Sequence, residues 1–85
     1  MDKKFISQRI VEIMKEDLNL DKNLELNHES NFVDTFGLDS LMLVNLLIAF
    51  ENDPFLKLNI ANLTYEDLEN INTLADYILN QNKRC

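Results

Sequence analysis

The sequence predicts an all-α fold, a small four-helix bundle with a long first loop and a short third helix. Three observations carry this expectation. Apolar residues recur at three- and four-residue spacing near both ends of the chain, the run from Leu41 to Phe50 is apolar with one interruption, and one Gly and one Pro in 85 residues leave few breaks in regular structure. A hydrophobic fraction of 46% beside 27% charged residues describes a chain that buries a core, which argues against a disordered or low-complexity protein. Residues 1–85 are read as a single domain with one modest core, too small for a cleft between two domains.

The first helix is expected from Lys3 to about Leu18. Ile6, Ile10, Ile13, Met14 and Leu18 form its inward stripe, and Arg9, Glu12, Lys15 and Glu16 fall between them. A long connection then runs from Asn19 to Asp39. In it Asn19, Asp21, Asn23, Asn27 and Asn31 are interleaved with Leu20, Leu24, Leu26, Phe32, Val33 and Phe36, a pattern of apolar anchors that pins a loop to a core. Connections of this length in small domains are usually functional.

The second helix is expected from Ser40 to about Asp53. It is apolar nearly all round, so it is either enclosed or presents side chains to something else. On a helical wheel Leu43, Leu46, Leu47 and Phe50 share a buried face. Met42, Asn45 and Ile48 fall nearer the outside and are the candidate partner contacts, although Met42 and Ile48 fit a core equally well on pattern alone. Pro54 ends the helix, and the segment from Phe55 to Leu63 is a second connection whose form the sequence leaves open. Thr64 with Asp67 resembles a capping box before a short third helix of Tyr65 to Asn70. Asn72 or Thr73 then caps the last helix, whose inward face is traced by Leu74, Tyr77, Ile78 and Gln81.

The stretch Gly37-Leu38-Asp39-Ser40-Leu41 is the most informative in the chain. Gly37 lets the loop turn sharply, Asp39 is a strong N-cap residue, and Ser40 falls at the first helical position. An anion attached to that hydroxyl would lie beside unpaired N–H groups at the positive end of the helix dipole, where negative charge is favoured by roughly 0.3–1 kcal/mol. The same pair also serves as a plain helix cap, so the context has to decide.

Several function classes are disfavoured. A net charge of −7 opposes binding to nucleic acid or an anionic membrane, both of which need a basic face. The start Met1-Asp2-Lys3-Lys4 and the helix after it fit neither a signal peptide nor a membrane span, so an intracellular, cytoplasmic protein is expected. Cys85 is the only cysteine and the last residue; it forms no internal disulfide and reads as a bystander. His28 is the only histidine and sits in the Asn-rich loop, and no Gly-x-Ser-x-Gly elbow surrounds Ser40, so catalysis by this chain is not expected. No metal site is visible, since Asp17, Asp21 and Asn23 lack the glycine and distal glutamate of a calcium loop. Between Lys22 and Lys57 there is no Lys or Arg, while Glu25, Glu29, Asp34, Asp39, Glu51 and Asp53 lie in that stretch, so a basic partner would be steered toward Ser40.

The segment Phe32-Val33-Asp34-Thr35-Phe36-Gly37-Leu38-Asp39-Ser40-Leu41 resembles the signature of acyl carrier proteins. The resemblance extends over nearly the whole domain, through the apolar second helix ending at Phe50-Glu51 to Ile71-Asn72-Thr73-Leu74 before the last helix. It implies a four-helix bundle of acyl-carrier-protein type and a carrier without enzymatic activity. Ser40 would receive a covalent 4′-phosphopantetheine arm from coenzyme A through a phosphopantetheinyl transferase. Asp39 would hold the helix start beside the transferase's metal, Leu41 would contact that transferase, and the second helix would be read by loading and acyl-processing enzymes. Leu38-Asp39-Ser40-Leu41-Met42 followed by Val44 is more similar to carriers of polyketide assembly lines than to the fatty-acid type, which has acidic residues where Met42 and Asn45 stand. The resulting expectation is a free-standing, monomeric carrier of acyl thioesters in a specialised polyketide or fatty-acid-like pathway. The alternatives are an aminoacyl or peptidyl carrier of nonribosomal peptide synthesis and, in a different class, an unmodified helical adaptor.

Overall fold

The computed structural model describes residues 2–83, so Cys85 lies outside the described residues. Three α-helices and one 3-10 turn follow one another as α1 (Lys3–Asp17), α2 (Ser40–Asn52), the 3-10 turn Ile60–Asn62 and α3 (Ile71–Lys83). In α1 the carboxylate of Asp2 accepts from the Phe5 N–H at 2.9 Å, an N-cap that satisfies a free donor of the first turn. Its buried stripe is Ile6, Ser7, Ile10, Ile13 and Met14. The helix stops one residue short of the expected end, where Leu18 is the C-cap and Asn19 takes φ 56°, a left-handed conformation that Asn tolerates.

The polar residues of the 19–39 loop form turns. Asp21, Asn27 and Asn31 each accept with a side-chain oxygen from the N–H two residues later, at 2.9, 2.9 and 2.8 Å. Phe32 and Leu38 are fully buried and Leu26 and Phe36 pack partly against the core, so the loop is anchored. Leu24 and Val33 are exposed and do not serve as anchors.

Pro54 ends α2 and holds Asp53 extended, at φ −71° and ψ 128°. The buried Asp53 carboxylate then organises the next turn, accepting from the N–H groups of Phe55 at 3.1 Å and Leu56 at 3.0 Å. It also receives Arg9 of α1 through Nε at 2.9 Å and a terminal nitrogen at 2.6 Å. Burial pushes this carboxyl up, but Arg9 and the two backbone donors outweigh it and hold Asp53 below its ordinary value. Leu56 and Leu58 enter the core, and the Gln81 amide clamps the segment from α3, donating to the carbonyls of Leu56 and Lys57 at 3.1 and 3.0 Å while accepting from the Asn59 N–H at 2.9 Å. The connection left open by the sequence is therefore an ordered strap.

The expected third helix, Tyr65 to Asn70, is not formed. Asp67 accepts from both the N–H and the hydroxyl of Thr64, at 3.1 and 3.0 Å, but the residues that follow make only i to i−3 bonds and stay a run of turns. The backbone is diverted because the Phe32 N–H donates to the Glu69 carbonyl at 3.1 Å and the Asn72 N–H to the His28 carbonyl at 2.9 Å, pairing Asn31 with Asn70 in an antiparallel bridge. The cap of α3 is consequently Asn70, whose side chain accepts from the Thr73 N–H at 2.8 Å while Thr73 Oγ1 accepts from the Asn70 N–H at 3.1 Å. Asn72 and Thr73 already lie inside the helix. Ile71, Leu74, Ala75 and Ile78 are buried, and the Tyr77 hydroxyl donates to the Asn59 carbonyl.

Candidate functional site

Ser40 is displayed at the junction between the anchored loop and α2. Gly37 takes φ +67°, a region costly for other residues, and turns the chain so that Leu38 points into the core. Asp39 is extended, and its Oδ1 accepts from the Met42 N–H at 2.8 Å. This uses one carboxylate oxygen and leaves the other in solvent. Ser40 is the first residue of α2 and its side chain is exposed. The N–H groups of Ser40 and Leu41 donate to no acceptor among the described residues. The hydroxyl thus stands beside free donors that favour an attached phosphodiester.

A groove of about 580 Å³ opens next to this hydroxyl. One wall is the start of α2 with Leu38, Ser40 and Leu43, and the other is the turn segment with Tyr65, Glu66, Leu68 and Glu69. The Asn31–Asn70 bridge ties the loop that leads to Ser40 to the turn wall. Tyr65 and Leu68 were missed as residues of this site because a short helix was expected where the wall is a turn, and Val33 because it was expected as a core anchor.

The structure divides the candidate partner contacts of α2. Leu41, Val44 and Ile48 are 70%, 50% and 44% exposed and share one flank at helical spacing. Met42, at 40% exposed, lies on the other flank with Asn45, beside Asp17 and the C-cap Leu18 at the end of α1. Leu46, Leu47 and Phe50 are buried and Leu43 is half-buried, as the wheel places them. Val44 was not among the partner contacts expected from the sequence, although its three-residue spacing from Leu41 was the available signal.

One electrostatic expectation needs correction. Asp53 is buried and paired with Arg9, so it adds little to the acidic field near Ser40; exposed Asp39, Glu66 and Glu69 supply it. His28 lines a separate depression with Val11 and Lys15, away from Ser40. Among the described residues no group of three His, Cys, Asp or Glu side chains could hold a metal ion, and no helix is long and apolar enough to cross a membrane.

Comparison with known proteins adds the deciding observation. A family model described as "Phosphopantetheine attachment site" matches residues 8–78. The chain is also similar to the acyl carrier protein of Phytoplasma mali (strain AT), with 34% identity over 73 residues, 86% of this chain and 83% of the relative. The chain belongs to the acyl carrier protein family. It is therefore a carrier and not an enzyme, with phosphopantetheine as its covalent prosthetic group. Membership brings, in general terms, a phosphopantetheinyl transferase and acyl-processing enzymes as partners. The alternative of an unmodified adaptor falls with this match. An exposed hydroxyl beside free helix N–H groups and a largely apolar groove suit the chemistry of such an arm, a phosphodiester followed by an uncharged chain.

Proposed function

We propose that Ser40 carries the phosphopantetheine arm and that the chain presents acyl cargo to the enzymes of a specialised polyketide or fatty-acid-like pathway. The observation that carries this reading is the exposed Ser40 hydroxyl at the first position of the Asp39-capped helix, opening on the groove. The arm, when bound, supplies a thiol that holds cargo as a thioester. Asp39 fixes the first turn and offers its free oxygen to the transferase's metal, and Leu41 provides an apolar contact for the transferase next to the modified residue.

Met42, Asn45 and Ile48, joined by Val44, are the recognition residues. Their exposed apolar and neutral side chains support partners that bind by apolar contact more than by arginine and lysine, and this favours a specialised pathway. The groove offers a tethered chain partial shelter from water. A monomeric, cytoplasmic carrier that binds no nucleic acid fits the acidic surface and the need to leave α2 free for successive partners.

The reading is tested by intact mass after incubation with coenzyme A and a broad-specificity phosphopantetheinyl transferase. Wild type should gain one phosphopantetheine, and Ser40→Ala should gain none while its circular dichroism stays helical. An arm acquired by the variant would place the attachment elsewhere.

A further inference from the structure

The groove beside Ser40 carries charge of one sign. Its floor is apolar at Leu38, Leu43 and Leu68, its rim holds Asp39, Glu66 and Glu69, and no lysine or arginine lines it. None of these three carboxylates is ion-paired among the described residues. The rim is also held in place: the Glu69 carbonyl is bonded to Phe32, and the Thr73 hydroxyl lies 3.1 Å from the Asp67 carbonyl. The backbone that carries Glu66 and Glu69 is therefore held beside the apolar floor.

We propose that Glu66 and Glu69 select cargo by charge, so that the groove shelters a neutral apolar acyl chain tethered at Ser40 and excludes a chain ending in a carboxylate. The proposal rests on the Ser40 reading and deepens it by naming the cargo class. A methyl-ended chain gains by leaving water along Leu43 and Leu68. A carboxylate would have to shed hydration and approach three like charges, with the phosphodiester at Ser40 adding to the repulsion. It stays hydrated outside the groove.

Hexanoyl- and adipoyl-coenzyme A are the matched probes, equal in carbon number and differing in a terminal methyl or carboxylate. Each is loaded onto the full chain by a broad-specificity transferase, and intact mass with the Ser40→Ala control shows whether and where it is attached. Failure at this stage overturns the Ser40 reading and the inference with it. On loaded protein, the readouts are NMR shifts of Leu43, Tyr65 and Leu68 and the rate of thioester cleavage by hydroxylamine, each relative to the matching coenzyme A thioester. Hexanoyl should shift those residues and be protected, whereas adipoyl should shift them no more than the bare arm and be about three-fold less protected, the scale of charge interactions at an exposed site. Protection of adipoyl should rise in the Glu66→Gln/Glu69→Gln variant, with hexanoyl unchanged. It should rise also in wild type at high salt, a measurement that needs no variant. Equal protection of the two cargos, protection of neither, or an adipoyl chain indifferent to both the variant and salt would overturn the proposal.

Discussion

Asp39 and Asp53 stand at the two ends of α2, and their surroundings give the same side chain different work. Asp39 is exposed and spends one oxygen on the Met42 N–H, which shapes the turn that displays Ser40. Asp53 is buried, and its oxygens serve Arg9, Phe55 and Leu56 at once. Because its folded pKa lies below the ordinary 3.8, the native state binds fewer protons than the unfolded chain near that pH. The stability it contributes is therefore complete above the unfolded value and is lost as pH falls through the folded one. Urea unfolding from neutral pH to about pH 2 should show wild type losing stability on the acid side and Asp53→Asn losing less. The variant should start roughly 2–4 kcal/mol lower at neutral pH, the scale for breaking a buried charged pair. Parallel pH curves for the two proteins would deny Asp53 this role. Arg9 also packs its guanidinium 5.3 Å from the Phe55 ring, so Arg9→Ala should cost stability at every pH.

At the scale of elements, α2 is a helix with a core face and two outward flanks. Leu46, Leu47 and Phe50 hold it down; Leu41, Val44 and Ile48 occupy one flank and Met42 the other. The double variant Met42→Glu/Ile48→Glu should lower acyl transfer at least about ten-fold, equivalent to 1.4 kcal/mol, while lowering unfolding free energy by about 1 kcal/mol or less. A large loss of stability with normal transfer by the remaining folded protein would return both residues to a packing role. The turn segment 64–70 shows the converse case, in which a local capping signal is overruled by distant backbone pairing. Asp67 caps Thr64 in the expected way, yet Phe32 and His28 take the hydrogen bonds that direct Glu69 and Asn72.

For the whole molecule, charge and apolar surface are arranged around one end of α2. No Lys or Arg occurs between residues 22 and 57, and exposed Asp39, Glu66 and Glu69 line the groove beside Ser40. On the proposed function, this field would act on encounter and the exposed leucine, valine and isoleucine after contact. Raising salt from about 0.05 to 0.5 M shortens the screening length several-fold and should slow transfer of the arm onto Ser40 mainly through the apparent KM, with little change in kcat. A rate indifferent to salt would mean that the acidic surface serves solubility alone.

Composition and helical spacing were enough to read an all-helical chain, the course of α1 and α2, and the display of Ser40, since each depends on neighbours within a few residues, whereas the carrier reading came from the resemblance of Phe32 to Leu41 to a known family. The inward face of α2 was legible for the same reason. The missing third helix, the Asn70 cap, the Asp53–Arg9 pair and the turn wall of the groove were not legible. They depend on hydrogen bonds and burial between Phe32 and Glu69, His28 and Asn72, and Arg9 and Asp53, residues far apart in the chain. Local propensity decided where the helices run; which carboxylates are buried, which apolar residues remain outside and what faces Ser40 were decided only when the loops closed over the core, because long-range pairing outweighs the weak preferences of a short polar segment.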